Sequence, residues 1–211
     1  MAPTFRSELR TATRRSHTAI ETVVDLIRPD ITTSEYVSYL GALYGYYHAL
    51  EPRLISADTE FCSGVLGLAA RAKLAWIEQD LNQLSGYGTF TAIDVCQATP
   101  LIRNGPEAVG CAYVIEGSTL GGSVIFRHMQ KHLGITPDAG ARFLYGYGEA
   151  TGEHWKSFIR AIEAMNFSVK QREASAISAI ATFDTMREWL SLRNVSYHPT
   201  AITGITVQSV H

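Results

Sequence analysis

Tyr113-Val-Ile-Glu116-Gly117-Ser118-Thr-Leu-Gly121-Gly122-Ser-Val-Ile125 places three glycines inside a segment whose flanks, Glu107–Val114 and Val124–Leu133, carry helical rather than loop patterning. Each glycine inside a helix costs roughly 0.5–1 kcal/mol relative to alanine. Ser118 and Ser123 weaken the helix further, so something outside the local sequence must compensate. Two arrangements would do so: another helix packed against the bare backbone, or a flat ligand lying where no Cβ is tolerated. Small residues four apart suit close helix crossing, and taken alone the stretch reads first as a packing seam.

Outward from it, 211 residues with 46% hydrophobic content and a net charge of -2 describe one globular domain with enough chain to bury a substantial core. Near-neutral charge without a long basic run points away from nucleic acid and membrane surfaces as partners. Cys62, Cys96 and Cys111 are odd in number and widely spaced, which fits neither a disulfide framework nor a zinc site. The first residues lack an apolar signal core, and eighteen consecutive apolar residues occur nowhere, so the expected address is cytoplasmic.

The apolar spacing predicts a first helix over Thr4–Ile27, closed by Arg28-Pro29-Asp30. Within it Arg10 and Arg14 share a face, and His17 is followed one turn later by Glu21. His17 is either a surface or core histidine with an ion-pairing neighbour or a ligand whose second nitrogen an acid orients. Thr32-Thr-Ser-Glu35 predicts the start of a second helix, to about Ile55, whose tyrosines read as core packing with hydroxyls at the rim. A third is expected over Gly64–Leu84, with a connection over Thr89–Thr99. The glycine-broken helix should run from Asn104-Gly105-Pro106 to Leu133. Helices over Gly152–Asn166, with Lys156 and Arg160 one turn apart, and Val169–Leu192 follow an irregular Phe143–Gly148 piece. The reading is all-α: a compact single-domain bundle of about seven or eight helices over residues 1–193, with a tail over 194–211.

Competing chemistry is thin. His128 and His132 stand one turn apart, but the intervening lysine suits a wet face better than a metal site. There is no paired Glu-x-x-His for a di-iron carboxylate bundle, no Gly-x-Ser-x-Gly elbow and no phosphate-binding Gly-Lys-Ser or Gly-Lys-Thr.

Two motifs about 100 residues apart, Leu9-Arg10-Thr-Ala-Thr-Arg14-Arg-Ser-His17 with Glu21 and Glu116-Gly117-Ser118-Thr-Leu-Gly121-Gly122, resemble the proximal and distal helices of haem oxygenases. The likeness is strongest to the bacterial branch, including the enzymes found beside bacteriophytochromes, and it spans nearly the full chain. It implies that His17 is the axial ligand of haem b, which is both cofactor and substrate, and that Glu21 steadies the ring. Haem would lie between the first helix and the glycine-rich one, lined by Tyr113, Gly117, Gly121 and Gly122. Its propionates would meet Arg10, Arg14, Lys156 and Arg160. The implied reaction is oxygen- and electron-dependent opening of haem to biliverdin with release of iron and carbon monoxide.

Many family members carry an aspartate directly after the first glycine of the distal motif; here that position is Ser118, a pattern the bacterial branch shares. Ser118, Glu116 and Tyr113 are the candidates for holding the water that delivers protons. Two other functions fit the same residues less fully: a haem carrier or sensor that does not degrade its ligand, and a helical protein unrelated to haem. The expected partners are haem, a ferredoxin or flavoprotein reductase drawn to a basic face of Arg6, Arg10, Arg14 and Arg15, and a bacteriophytochrome as user of the product.

Overall fold

A computed structural model describes residues 3–87 and 94–193. Seven α-helices order the chain: α1 Phe5–Glu21, α2 Thr33–Cys62, α3 Leu74–Gln83, α4 Gly105–Leu133, α5 Arg142–Tyr145, α6 Thr151–Ala164 and α7 Val169–Ser191. Among the described residues there is no strand beyond isolated bridges at Thr136. The all-α expectation holds.

The helix starts are written locally. Thr4 accepts the Ser7 amide, Thr32 and Glu35 cap each other reciprocally, Asn104 accepts the Glu107 amide and Ser168 pairs with Gln171. Gly134, at φ 69°, closes α4 in the left-handed conformation that glycine adopts without strain. Three expected boundaries move. The first helix stops at Glu21, six residues early, because the Val23 and Val24 amides both turn back to the Ile20 carbonyl and free Leu26 to enter the core. The second runs on through Pro52 to Cys62, because Leu54, Ala57 and Asp58 are all buried there. The expected third helix breaks: the buried Asp58 carboxylate accepts the Leu66 and Leu68 amides at 3.1 and 3.0 Å and holds a turn before α3. Much of the Thr89–Thr99 connection and the whole tail over 194–211 lie outside the described residues.

By length and composition α4 is apolar enough to cross a membrane, at a mean hydropathy of 1.3, but it is the central helix of the bundle, crossing α7 closely. At the crossing a Cβ on Gly110 would collide with the Ser175 carbonyl, and Cys111 Sγ meets the Ser178 and Thr182 hydroxyls, each at 3.2 Å. Gly110→Ala is therefore expected to destabilise by about 1–3 kcal/mol despite alanine's better helix propensity, read as a lower melting temperature. An unchanged or higher value would mean the crossing yields. On the other flank of α7 lies α1, whose first amides, Phe5 and Arg6, are capped at 3.3 and 2.9 Å by Glu163 at the end of α6.

A buried carboxylate also ties α3 to α5. Asp80 accepts the Arg142 and Phe143 amides at 2.7 and 2.8 Å, yet burial lifts its carboxyl to about 6, against the pull of those bonds. A raised folded-state value contributes stability present below the ordinary carboxyl range and lost as pH rises through about 6. The stability difference between the native protein and Asp80→Asn should thus be greatest near pH 4 and shrink by pH 7 in denaturant titrations; a difference growing over that range would reverse the sign.

Candidate functional site

Arg6, Arg10, Arg14, His17 and Glu21 follow one another at helical spacing down the exposed face of α1. His17 Nδ1 lies 3.4 Å from Glu21 Oε1, which leaves Nε2 as the nitrogen turned to an incoming group. Phe183 of α7 braces the imidazole edge-on, with centroids 5.5 Å apart and planes at 72°.

The glycine stretch of α4 divides by face. A Cβ on Gly122 would stand 3.2 Å from the Leu144 carbonyl, so this glycine is part of the packing against α5. A Cβ on Gly117 would meet the Trp155 ring at 3.6 Å, an ordinary contact. Gly121 meets nothing within 4 Å, and beside it Leu120 and Val124 are 38% and 48% exposed. A bare backbone flanked by exposed aliphatic side chains is a face built for an apolar plane rather than for another helix. Packing therefore accounts for one side of the stretch, at Gly122, and leaves the other, at Gly121, open.

Tyr113, one turn before Gly117, is part-buried with its ring 5.5 Å from Trp155. Burial raises its hydroxyl, while the positive charges of Arg6 and Arg10 on the facing α1 act in the opposite sense. Arg6 and Arg10 thus act electrostatically on the Tyr113 edge. Arg14 is exposed further along α1, and Lys156 pairs with Glu153 at 2.8 Å on the exposed side of α6, with Arg160 also exposed. No described contact brings Lys156 or Arg160 to that edge.

Ser118 Oγ donates to the Ile115 carbonyl at 2.8 Å and lies 3.5 Å from the Tyr47 hydroxyl. Glu116, weighed with it as a proton-handling group, is turned away. It is 1% exposed and accepts from Arg71 Nη1 at 2.6 Å, Lys73 Nζ at 2.8 Å and Tyr147 Oη at 3.0 Å. Residues two apart on a helix point about 200° apart, so Ser118 and Glu116 cannot serve one face. His128 and His132 stack at 4.2 Å, and His128 Nε2 donates to the Arg28 carbonyl at 2.9 Å; no group of three metal-ligating side chains occurs among the described residues.

Three residues near the site escaped the sequence reading: Tyr47, Trp155 and Phe183. Tyr47 was one of a stripe of core tyrosines with nothing to single it out. Trp155 lies where a Cβ on Gly117 would reach it and leaves its indole N–H buried without a described partner.

A helical bundle that offers a histidine Nε2 on one helix, a bare apolar stretch on another and cations beside them could take a flat, acid-edged ligand. The sequence profile described as Heme oxygenase matches residues 3–191. Heme oxygenase PigA of Pseudomonas aeruginosa is 25% identical over 187 residues, covering 86% of this chain and 89% of its own. Among solved structures, the NO- and CO-bound heme oxygenase of Neisseria meningitidis superposes with a TM-score of 0.74 at 23% identity, over 95% of this chain and 96% of that one. Heme oxygenase-1 of the cyanobacterium Synechocystis, in complex with heme, gives 0.74 at 16% identity over 91% and 93%. The chain belongs to the heme oxygenase family and is a haem-degrading enzyme.

Proposed function

We propose that the chain binds haem b between α1 and α4 and opens it oxidatively to biliverdin, releasing iron and carbon monoxide, with molecular oxygen and electrons from an external donor. Haem supplies both the iron that engages oxygen and the ring that is cleaved. The protein supplies geometry and protons. His17 Nε2 ligates the iron, with Glu21 holding the neutral ring through Nδ1. Arg10 and Tyr113, joined by Arg6, take the propionates at the Tyr113 edge, and Arg14, Lys156 and Arg160 complete the basic rim after side-chain rotation. Gly117 and Gly121 let the α4 backbone approach the plane while Gly122 anchors the helix on Leu144, and Ser118 offers a hydroxyl beside Gly117.

The observation that carries this reading is the open space at Gly121 between exposed Leu120 and Val124, which packing leaves unexplained. The exposed arginines of α1 suit an acidic ferredoxin or flavoprotein as donor in a cytoplasmic setting, and a bacteriophytochrome is a natural user of biliverdin. The test is a hemin titration of the purified protein, followed by an electron donor under air with catalase present. A stoichiometric Soret band that gives way to a biliverdin spectrum is expected. A stable band that never bleaches would favour a carrier or sensor, and no band would remove the ligand assignment.

A further inference from the structure

We infer that Glu116 is a positioning residue for the site: through its bonds to Arg71, Lys73 and Tyr147 it sets the height and rotation at which α4 presents its glycine stretch. The inference rests on the haem-binding reading above and gives that site a support lying outside it.

A glycine stretch cannot fix its own position. A Cβ on Gly121 would meet nothing within 4 Å, and a helix face without side chains has no ridge to lock into a neighbouring groove. Gly122 against the Leu144 carbonyl is one stop. A second is Glu116, one residue before Gly117 and 1% exposed. Its Oε1 accepts from Arg71 Nη1 at 2.6 Å, and its Oε2 accepts from Lys73 Nζ at 2.8 Å and Tyr147 Oη at 3.0 Å.

The groups that hold the carboxylate are themselves held by other elements. Arg71 Nε donates to the Leu66 carbonyl at 3.0 Å and Nη1 to the His154 carbonyl of α6 at 3.1 Å. Lys73 Nζ donates to the Arg71 carbonyl at 2.9 Å, and the Lys73 amide donates to Glu51 Oε2 of α2 at 2.6 Å. Tyr147 stacks on His154, with centroids 3.8 Å apart and planes at 3°. Glu116 is thus the charged side chain by which α4 enters a hub tied to α2 and α6. Burial disfavours the Lys73 ammonium, and the Glu116 carboxylate opposes that effect.

Stability alone does not call for ions here. Charges taken out of water recover their hydration only with good geometry, and well-packed apolar side chains in their place are often neutral or stabilising. Direction is what the ions add. An apolar contact tolerates sliding, whereas three charge-assisted bonds to two oxygens do not. A tether one methylene shorter draws the carboxylate back by roughly 1.5 Å, so α4 must move or give up bonds. A misplacement of about 1 Å at a reacting centre can cost on the order of a hundredfold in rate.

The experiment compares Glu116→Asp, which keeps the charge and shortens the tether, with the triple variant Arg71→Met, Lys73→Met and Glu116→Met, which exchanges the ions for apolar side chains. The control is Tyr46→Phe, which removes a buried hydroxyl 3.1 Å from the Thr182 carbonyl and 2.8 Å from Thr185 Oγ1, both on α7. Each takes up hemin first; a missing Soret band in the native protein would defeat the haem reading separately, taking this inference with it. Turnover and the C–O stretching band of the ferrous carbon monoxide complex are then measured. Glu116→Asp is expected to bind hemin within about threefold of native affinity, to broaden or split the C–O band and to slow turnover about tenfold. The triple variant should melt at or above the native temperature and still show the altered band and slowed turnover, a combination that a purely stabilising hub would not give. Tyr46→Phe should melt lower and keep the native band. Either hub variant serves if the other does not fold. A native band and native turnover in either of them, or the same changes in Tyr46→Phe, overturns the inference.

Discussion

His17→Ala is expected to abolish turnover and convert the haem spectrum to that of a water-ligated complex while leaving the fold intact. The side chain is 57% exposed, and among the described residues it makes the 3.4 Å pair with Glu21 and the edge contact with Phe183. An exposed pair of this kind is worth about 0.3–0.5 kcal/mol, so melting temperature should hardly move. The iron bond has no such substitute. No other imidazole, thiol or carboxylate stands on the α1 face within a turn of His17 except Glu21, whose carboxylate is a hard ligand poorly matched to a haem that must engage oxygen. Imidazole added to the variant should restore part of the native spectrum by occupying the space the side chain leaves. Native turnover by His17→Ala would end the ligand assignment.

Gly121→Leu should separate stability from binding. A Cβ at this position meets nothing within 4 Å, and leucine is about 1 kcal/mol better than glycine inside a helix, so the protein without haem should melt at an equal or higher temperature. The same side chain would fill the space proposed for the porphyrin, and hemin binding should fall to the non-specific level. Opposite signs in the two assays are the mark of a glycine retained for a ligand. A packing seam would give the reverse, with lowered stability and undisturbed binding; Gly110, pressed on the Ser175 carbonyl, is the position where that behaviour is expected. Running both positions side by side makes either result informative.

Glycines 110, 117, 121 and 122 look alike in the sequence and do different things in the fold, and this marks the boundary of what could be read. Helix positions and caps were legible because they are set within three or four residues: Asn104 before Gly105-Pro106, Thr32 with Glu35 and Ser168 with Gln171 satisfy amides of their own first turn. The His17–Glu21 spacing was legible for the same reason, and the motif pair gave the family that the profile and relatives then established. What could not be read were choices made between helices. Asp58 breaks the expected third helix only because its carboxylate meets amides eight and ten residues away. Glu116 sits one residue from Gly117 yet belongs to Arg71, Lys73 and Tyr147, because a buried carboxylate must go where cations are. The sequence by itself determined an all-α chain, several of its caps and the two motifs that point to its family; only the tertiary structure decided which glycine is bare, which is packed and which tyrosine reaches Ser118, because local hydrogen bonds shape a helix while burial against a neighbour chooses its face.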